Sequence, residues 1–200
     1  PVMNNRYGEK IPLDWEIPVA RNVLRLVLSP NRALYFQAPK KSEPLLKVSD
    51  VAGRREILWQ EDNVPAVVQD DDTPAWYSPF RYLAISEYVD WQDVVKWAQP
   101  LYEQASVVDQ SVQQLADQFL AQSSDRQQQI MLALSFVQQE IRYLGMEDGM
   151  GSHRPRLASE TLYRRYGDCK DKTALLLALL KAMGFAPFPA LVNLDQGQIG

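Results

Sequence analysis

The sequence predicts an α+β protein in two parts, an antiparallel β-sandwich-like half followed by a helix-rich α+β half. Up to Tyr88 the chain consists of short β-rich runs separated by proline, asparagine and aspartate. At Asp90 the apolar spacing changes to that of a helix. From Cys169 a leucine-rich helix closes on Gly184, and Ala186 to Asn193 follows as a predicted strand. The reading assigns 1–89 to a β-rich domain, 90–106 to a linker helix and 107–200 to the second domain.

In the first half, Asn22 to Leu28 alternates, with Leu24, Leu26 and Leu28 on one face and Arg25 on the other. Arg32 to Gln37, Arg55 to Gln60, Val64 to Gln69 and Arg81 to Glu87 read as further strands. Most of the 13 prolines fall here, which suits edges and turns and discourages long helices. Asp70, Asp71 and Asp72 cluster in a predicted loop. A calcium site is one reading of such a cluster, and a solvated turn is the commoner one. Trp15, Trp59, Trp76 and Trp91 are either core residues or aromatic surface for a partner.

In the second half, Trp91, Val94, Val95, Ala98, Leu101 and Tyr102 recur at helical spacing behind an Asp90 cap, and Pro100 is expected to kink or end that helix. A second helix starts near Asp109 and buries Val112, Leu115, Ala116, Phe119 and Leu120. A third runs from about Ser124 to Tyr143 with Ile130, Leu134, Val137 and Ile141 as its stripe and glutamines opposite. A glycine-containing loop spans Leu144 to Arg156, and a short helix runs from Ser159 to Arg165.

Composition narrows the function classes. A net charge of −4 without a basic face argues against nucleic acid as the main partner. The longest apolar run, Ala174 to Leu180, is too short to span a bilayer and reads as a buried helix. A single cysteine cannot form an internal disulfide and so does not report the compartment. The chain opens at Pro1 and stops just after a predicted strand, which reads as an excised fragment. Metal-ligand spacing, phosphate loops and serine nucleophile motifs are not found, so neither metal nor cofactor is implied.

The chemistry concentrates at Gly167, Asp168, Cys169, Lys170, Asp171 and Lys172. Asp168 is a good N-cap, and Asp171 three residues later completes a capping-box pattern. Cys169 then falls in the first helical turn, where outward-pointing amides and the positive dipole end favour a thiolate; Lys170 and Lys172 act the same way, while Asp168 and Asp171 oppose them. The competing reading is a small buried hydrophobe.

Together with Ile141, Arg142, Tyr143, Tyr166, Gly184 and the run Ala190 to Val192, that hexapeptide resembles the core of the bacterial transglutaminase-like superfamily. The resemblance implies a papain-like arrangement in which Cys169 is the nucleophile and the partner histidine and aspartate follow it in sequence. The β-rich half and the helix from Trp91 are similar to the domain of unknown function that commonly precedes it. The implied activity is acyl transfer or hydrolysis at a protein or peptide amide through a thioester on Cys169. The alternative is a binding or assembly module of the cell envelope, and an envelope or periplasmic location is implied by the resemblance alone.

The chain departs from the family pattern in one respect. Its single histidine, His153, precedes Cys169, so the catalytic His and Asp are expected beyond Gly200. His153 is an unorthodox partner or an exposed loop residue beside Arg154 and Pro155. Asp168 and Tyr143 are the candidate supporting residues. Tyr143 offers a hydroxyl to an oxyanion or packs in the core.

Overall fold

In the computed structural model, residues 3, 6–29, 31–37, 46–74, 77–145 and 153–192 are described. The predictions for Trp76, for the loop residues 146–152 and for Asn193 lie outside them. The chain separates into two compact units, one built on residues 6–91 and the other on 92–191.

The first unit is two antiparallel three-stranded sheets. One has the order β1 (Gly8–Pro12), β6 (Tyr82–Ser86), β3 (Tyr35–Gln37). The other has the order β2 (Val19–Leu28), β5 (Arg54–Val64), β4 (Leu46–Val51). In β2 the predicted alternation is present, and Leu24 opposes Trp59 while Leu26 opposes Ile57. Trp59 of one sheet and Leu83 and Ile85 of the other share a core with Leu13, so the sheets bury their inner faces against one another. The polar anchor of this unit is Asp14. Its buried carboxylate takes the Arg81 amide at 2.7 Å and the guanidinium at 2.6 Å, while the same guanidinium reaches Glu61 at 2.9 Å.

Two strand expectations are corrected. Val64 to Gln69 is not a strand: β5 ends at Val64, because Pro65 brings no N–H to a ladder, and Val67 instead donates to the Trp15 carbonyl at 2.9 Å. The predicted strand from Ala186 is irregular backbone through Val192. Pro187 and Pro189 remove two donors there. Strands β1 and β4 escaped the sequence reading. β1 is only five residues long, and β4 is exposed along most of its length.

The second unit holds α1 (Trp91–Ala105), α2 (Gln110–Gln122), α3 (Arg126–Gln139), α4 (Ala158–Arg164) and α5 (Cys169–Ala182), with β7 (Arg142–Tyr143) parallel to β8 (Tyr166–Gly167). Pro100 neither ends α1 nor shortens it. It lies on the exposed face, where water can bond the carbonyl that loses its helical partner. The stripe of α3 is shifted from the expected one. Gln129, Ala133 and Val137 are buried, whereas Ile130 is 37% exposed. The small Ala133 side chain permits close packing, and the Gln129 amide finds the Ser123 carbonyl at 2.8 Å. The helix also stops at Gln139, which leaves Arg142 and Tyr143 to the strand pair.

Helix α5 is central. From Ala174 to Leu179 every residue except Leu176 is buried, packed among Val112, Ala116, Val137, Ile141 and Ala158 of its neighbours. Fully burying a leucine such as Leu175 or Leu179 contributes about 2 kcal/mol, and together such residues hold the helix start in place. Gly184, at φ +78°, turns the chain out of the helix in the left-handed region that glycine tolerates best.

Candidate active site

The first turn of α5 is built by reciprocal hydrogen bonds. The Asp168 carboxylate accepts from the amides of Lys170 at 2.8 Å and Asp171 at 3.2 Å, and Asp171 accepts from the Asp168 amide at 3.3 Å. This is a complete capping box, with both aspartates buried. It leaves Cys169 on the outer side of the turn, where it is exposed. The sulfur is therefore not a packed core atom.

The approach to this turn is tight. A Cβ added at Gly167 would lie 2.6 Å from the Asp171 Cβ, so only glycine fits against the capping carboxylate. The β7–β8 pair brings the chain to the same place: Tyr143 is in register with Gly167, and the Leu144 amide donates to the Gly167 carbonyl at 3.0 Å.

The charged groups around the turn have definite partners. Lys170 Nζ meets Asp168 Oδ2 at 2.8 Å, and Lys172 Nζ donates to the Ile141 carbonyl at 2.7 Å. The second bond ties the turn to the end of α3. Asp171 also accepts the Arg156 amide at 2.8 Å, with that residue's guanidinium 3.9 Å away. The segment entering α4 is thereby fixed to the cysteine turn.

Asp168 is thus a capping residue, and Tyr143 stands beside the turn rather than in the core. At 58% exposure the Tyr143 ring is not packing, and the core alternative is corrected. Both residues of β7 are exposed, because α3 ends at Gln139 and Tyr143 joins the two-stranded ladder instead. His153 is exposed and sits edge-on to Trp97, with ring centroids 5.7 Å apart. Among the described residues no hydrogen bond joins it to Cys169. Asp70, Asp71 and Asp72 are exposed in a turn, and no group of three acidic, His or Cys residues suited to a metal occurs among the described residues. Of the tryptophans, Trp59 is fully buried and Trp91 is 73% exposed.

One residue of the site was read from the sequence only as part of a helical stripe. Tyr102, on α1, is half-buried, and burial is the main cause that pushes its hydroxyl above the ordinary tyrosine range. A negative charge at Cys169 adds to the effect; Lys170 opposes it, and Asp168 and Asp171 reinforce it. The α1 backbone is pinned nearby, since Ser106 Oγ donates to the Tyr102 carbonyl at 2.6 Å and accepts from Lys181 Nζ of α5 at 2.6 Å. The spacing of Tyr102 within α1 carries no signal of this, because the relationship spans 67 residues of sequence, from 102 to 169.

Residues 113–187 match the family described as the Transglutaminase-like superfamily. Over these residues the chain carries a transglutaminase-like segment. It includes most of α2 and all of α3, α4 and α5, and Cys169 lies inside it. The fold is similar to that of a candidate protease from Parabacteroides distasonis ATCC 8503, with a TM-score of 0.76 and 16% identity over 92% of this chain. At that identity the likeness is one of fold, and the chain spans only 36% of the length of that relative. A candidate cysteine protease from Cytophaga hutchinsonii aligns with a TM-score of 0.36 and 11% identity, over 88% of this chain and 62% of its own. No curated protein matches the sequence. The transglutaminase-like segment does not include α1, so Tyr102 and the α1 wall lie outside the matched residues. Among the described residues no helix is long and apolar enough to cross a membrane.

Proposed function

We propose that the full-length protein performs cysteine-dependent acyl transfer or hydrolysis at a protein or peptide amide, with Cys169 as nucleophile. The observation that carries this reading is the exposed sulfur in the first turn of a buried, fully capped helix within a transglutaminase-like segment. The positive end of the α5 dipole lies at that turn.

In the proposed cycle the sulfur bonds to the amide carbon and the carbon–nitrogen bond breaks. The amine departs with a proton supplied by a general acid, which leaves a thioester on Cys169. Water or a second amine then attacks the thioester, its proton passes to the same group acting as base, and the sulfur departs with its electron pair. Such a group is ordinarily a histidine held by a carboxylate. His153 is the single histidine of these 200 residues, and its ring lies against Trp97. The proposal takes the base and its partner from a longer parent chain, which is in keeping with the 36% coverage of the structural relative.

The test is full-length protein incubated with glutamine-containing peptides and hydroxylamine, with peptide hydroxamate and free acid both measured. The wild type should form one or the other. Cys169→Ala should abolish both products while leaving the thermal midpoint within a few degrees, because the side chain is exposed. Unchanged turnover by Cys169→Ala would refute the nucleophile assignment and leave the binding-module reading in its place.

A further inference from the structure

A cavity of about 280 Å³ lies between the C-terminal half of α1 and the segment that leads into α4. Its apolar walls are Leu101 and Ala105 on one side and Pro155 and Leu157 on the other. Three charged residues also line it: Arg154, Arg156 and Glu160. Their pairing decides the sign of the cavity. The Glu160 carboxylate is taken by Arg164 at 2.6 Å, which removes the one anion of the lining. The Arg156 guanidinium faces Asp171 at 3.9 Å, and that carboxylate is already engaged by the amides of Arg156 and Asp168. Arg154 is exposed and forms no ion pair with any described carboxylate. The balance is positive, within apolar walls.

Both walls also reach the cysteine turn. Arg156 holds Asp171, two residues after Cys169, and Tyr102, the neighbour of Leu101 in α1, lies within electrostatic range of Cys169. The cavity wall that carries Arg154 and Arg156 is thereby tied to the helical turn that carries Cys169.

From this arrangement we infer that the cavity is a specificity subsite for a carboxylate on the peptide substrate, read by Arg154 while the apolar walls hold the intervening methylenes. The inference rests on the amide-directed reading of Cys169 and adds a substrate class to it: peptides with an acidic group near the reacting amide. A guanidinium is suited to this task, since its fork of donors matches a carboxylate and stays charged. The carboxylate has two sources, an acidic side chain or a chain terminus.

The experiment measures binding, so it does not depend on turnover. Full-length Cys169→Ala is titrated into dye-labelled hexapeptides, followed by fluorescence anisotropy. One peptide is capped at both ends with a central glutamate, one is its glutamine counterpart, and one is the glutamine peptide with a free C-terminus. The glutamate peptide should bind at least tenfold tighter than the capped glutamine peptide. Arg154→Gln should remove that preference without weakening the glutamine peptide, and Arg154→Lys should restore part of it. Preference for the free C-terminus alone also supports a carboxylate subsite and names its source. Equal affinities for all three peptides, or a preference that survives Arg154→Gln, overturn the inference. Preserved discrimination in a protein whose wild type turns over no amide would sink the catalytic reading and leave the subsite standing.

Discussion

Asp168 and Asp171 cap one another: each carboxylate accepts the other's backbone N–H, at 3.2 and 3.3 Å. Asp171 extends the cap to Arg156 and Asp168 extends it to Lys170, so four residues hold one helical turn. Cys169 is carried on that turn without being asked to pack. A nucleophile must stay accessible, and a buried cap beneath it supplies the rigidity that side-chain packing supplies elsewhere.

Gly167 tests this construction. Gly167→Ala places a methyl group 2.6 Å from the Asp171 Cβ, and the nearest atom belongs to the stiff part of that side chain. The capping box should open, at a cost of about 1–3 kcal/mol, as for overpacking elsewhere. Urea unfolding measures the cost, and iodoacetamide labelling of Cys169 should change its rate in parallel. An alanine variant as stable as the parent would show that the close approach is not structural.

Arg81 and Asp14 test the β-rich unit. Burial alone would raise the Asp14 carboxyl, but the hydrogen bonds and charge of Arg81 outweigh it and hold the group below the ordinary carboxylate range. Arg81→Ala leaves a buried carboxylate without its cation and should cost about 3 kcal/mol at pH 7. Because the folded value is depressed, this stabilisation is present above the unfolded value of about 3.9 and is lost as pH falls through the folded one. The difference between parent and variant in urea should therefore shrink from pH 7 to pH 3. A difference that grows toward acid would contradict the assignment.

Tyr102 tests the link between α1 and the cysteine turn. Its hydroxyl is raised first by burial and then by charge at Cys169. Difference absorbance between the parent and Tyr102→Phe isolates its ionisation, which should lie above the ordinary value of about 10. The neutral phenol is the form the fold prefers, so its contribution is full below that value and declines as pH rises through the folded one. In a Cys169→Ala background the midpoint should move down yet stay raised, since burial remains. An identical midpoint in both backgrounds would separate Tyr102 from the site.

Local patterns made a good part of this legible. The capping box, the buried leucine run of α5, the glycine that closes it and the alternation of β2 are each set by neighbours within a few residues, where sequence spacing and geometry coincide. The same holds for the starts of α2 and α3, whose caps are Asp109 and Asp125. The places where pattern failed are those where a distant partner decides. Gln129 is buried because the Ser123 carbonyl meets its amide, Tyr143 leaves the helix because β8 offers a ladder, and Val64 to Gln69 loses its strand at Pro65.

The sequence alone determined that Cys169 opens a capped helix and that the chain changes from β-rich to helical text near residue 90. Only the tertiary structure decided that the sulfur faces outward, that Tyr102 and Arg156 converge on its turn, and that a cavity lies between their elements. The physical reason is range. Caps and periodicities are short-range and are written in adjacent residues, whereas exposure and convergence depend on how α1, the segment before α4 and α5 pack, which no local spacing records.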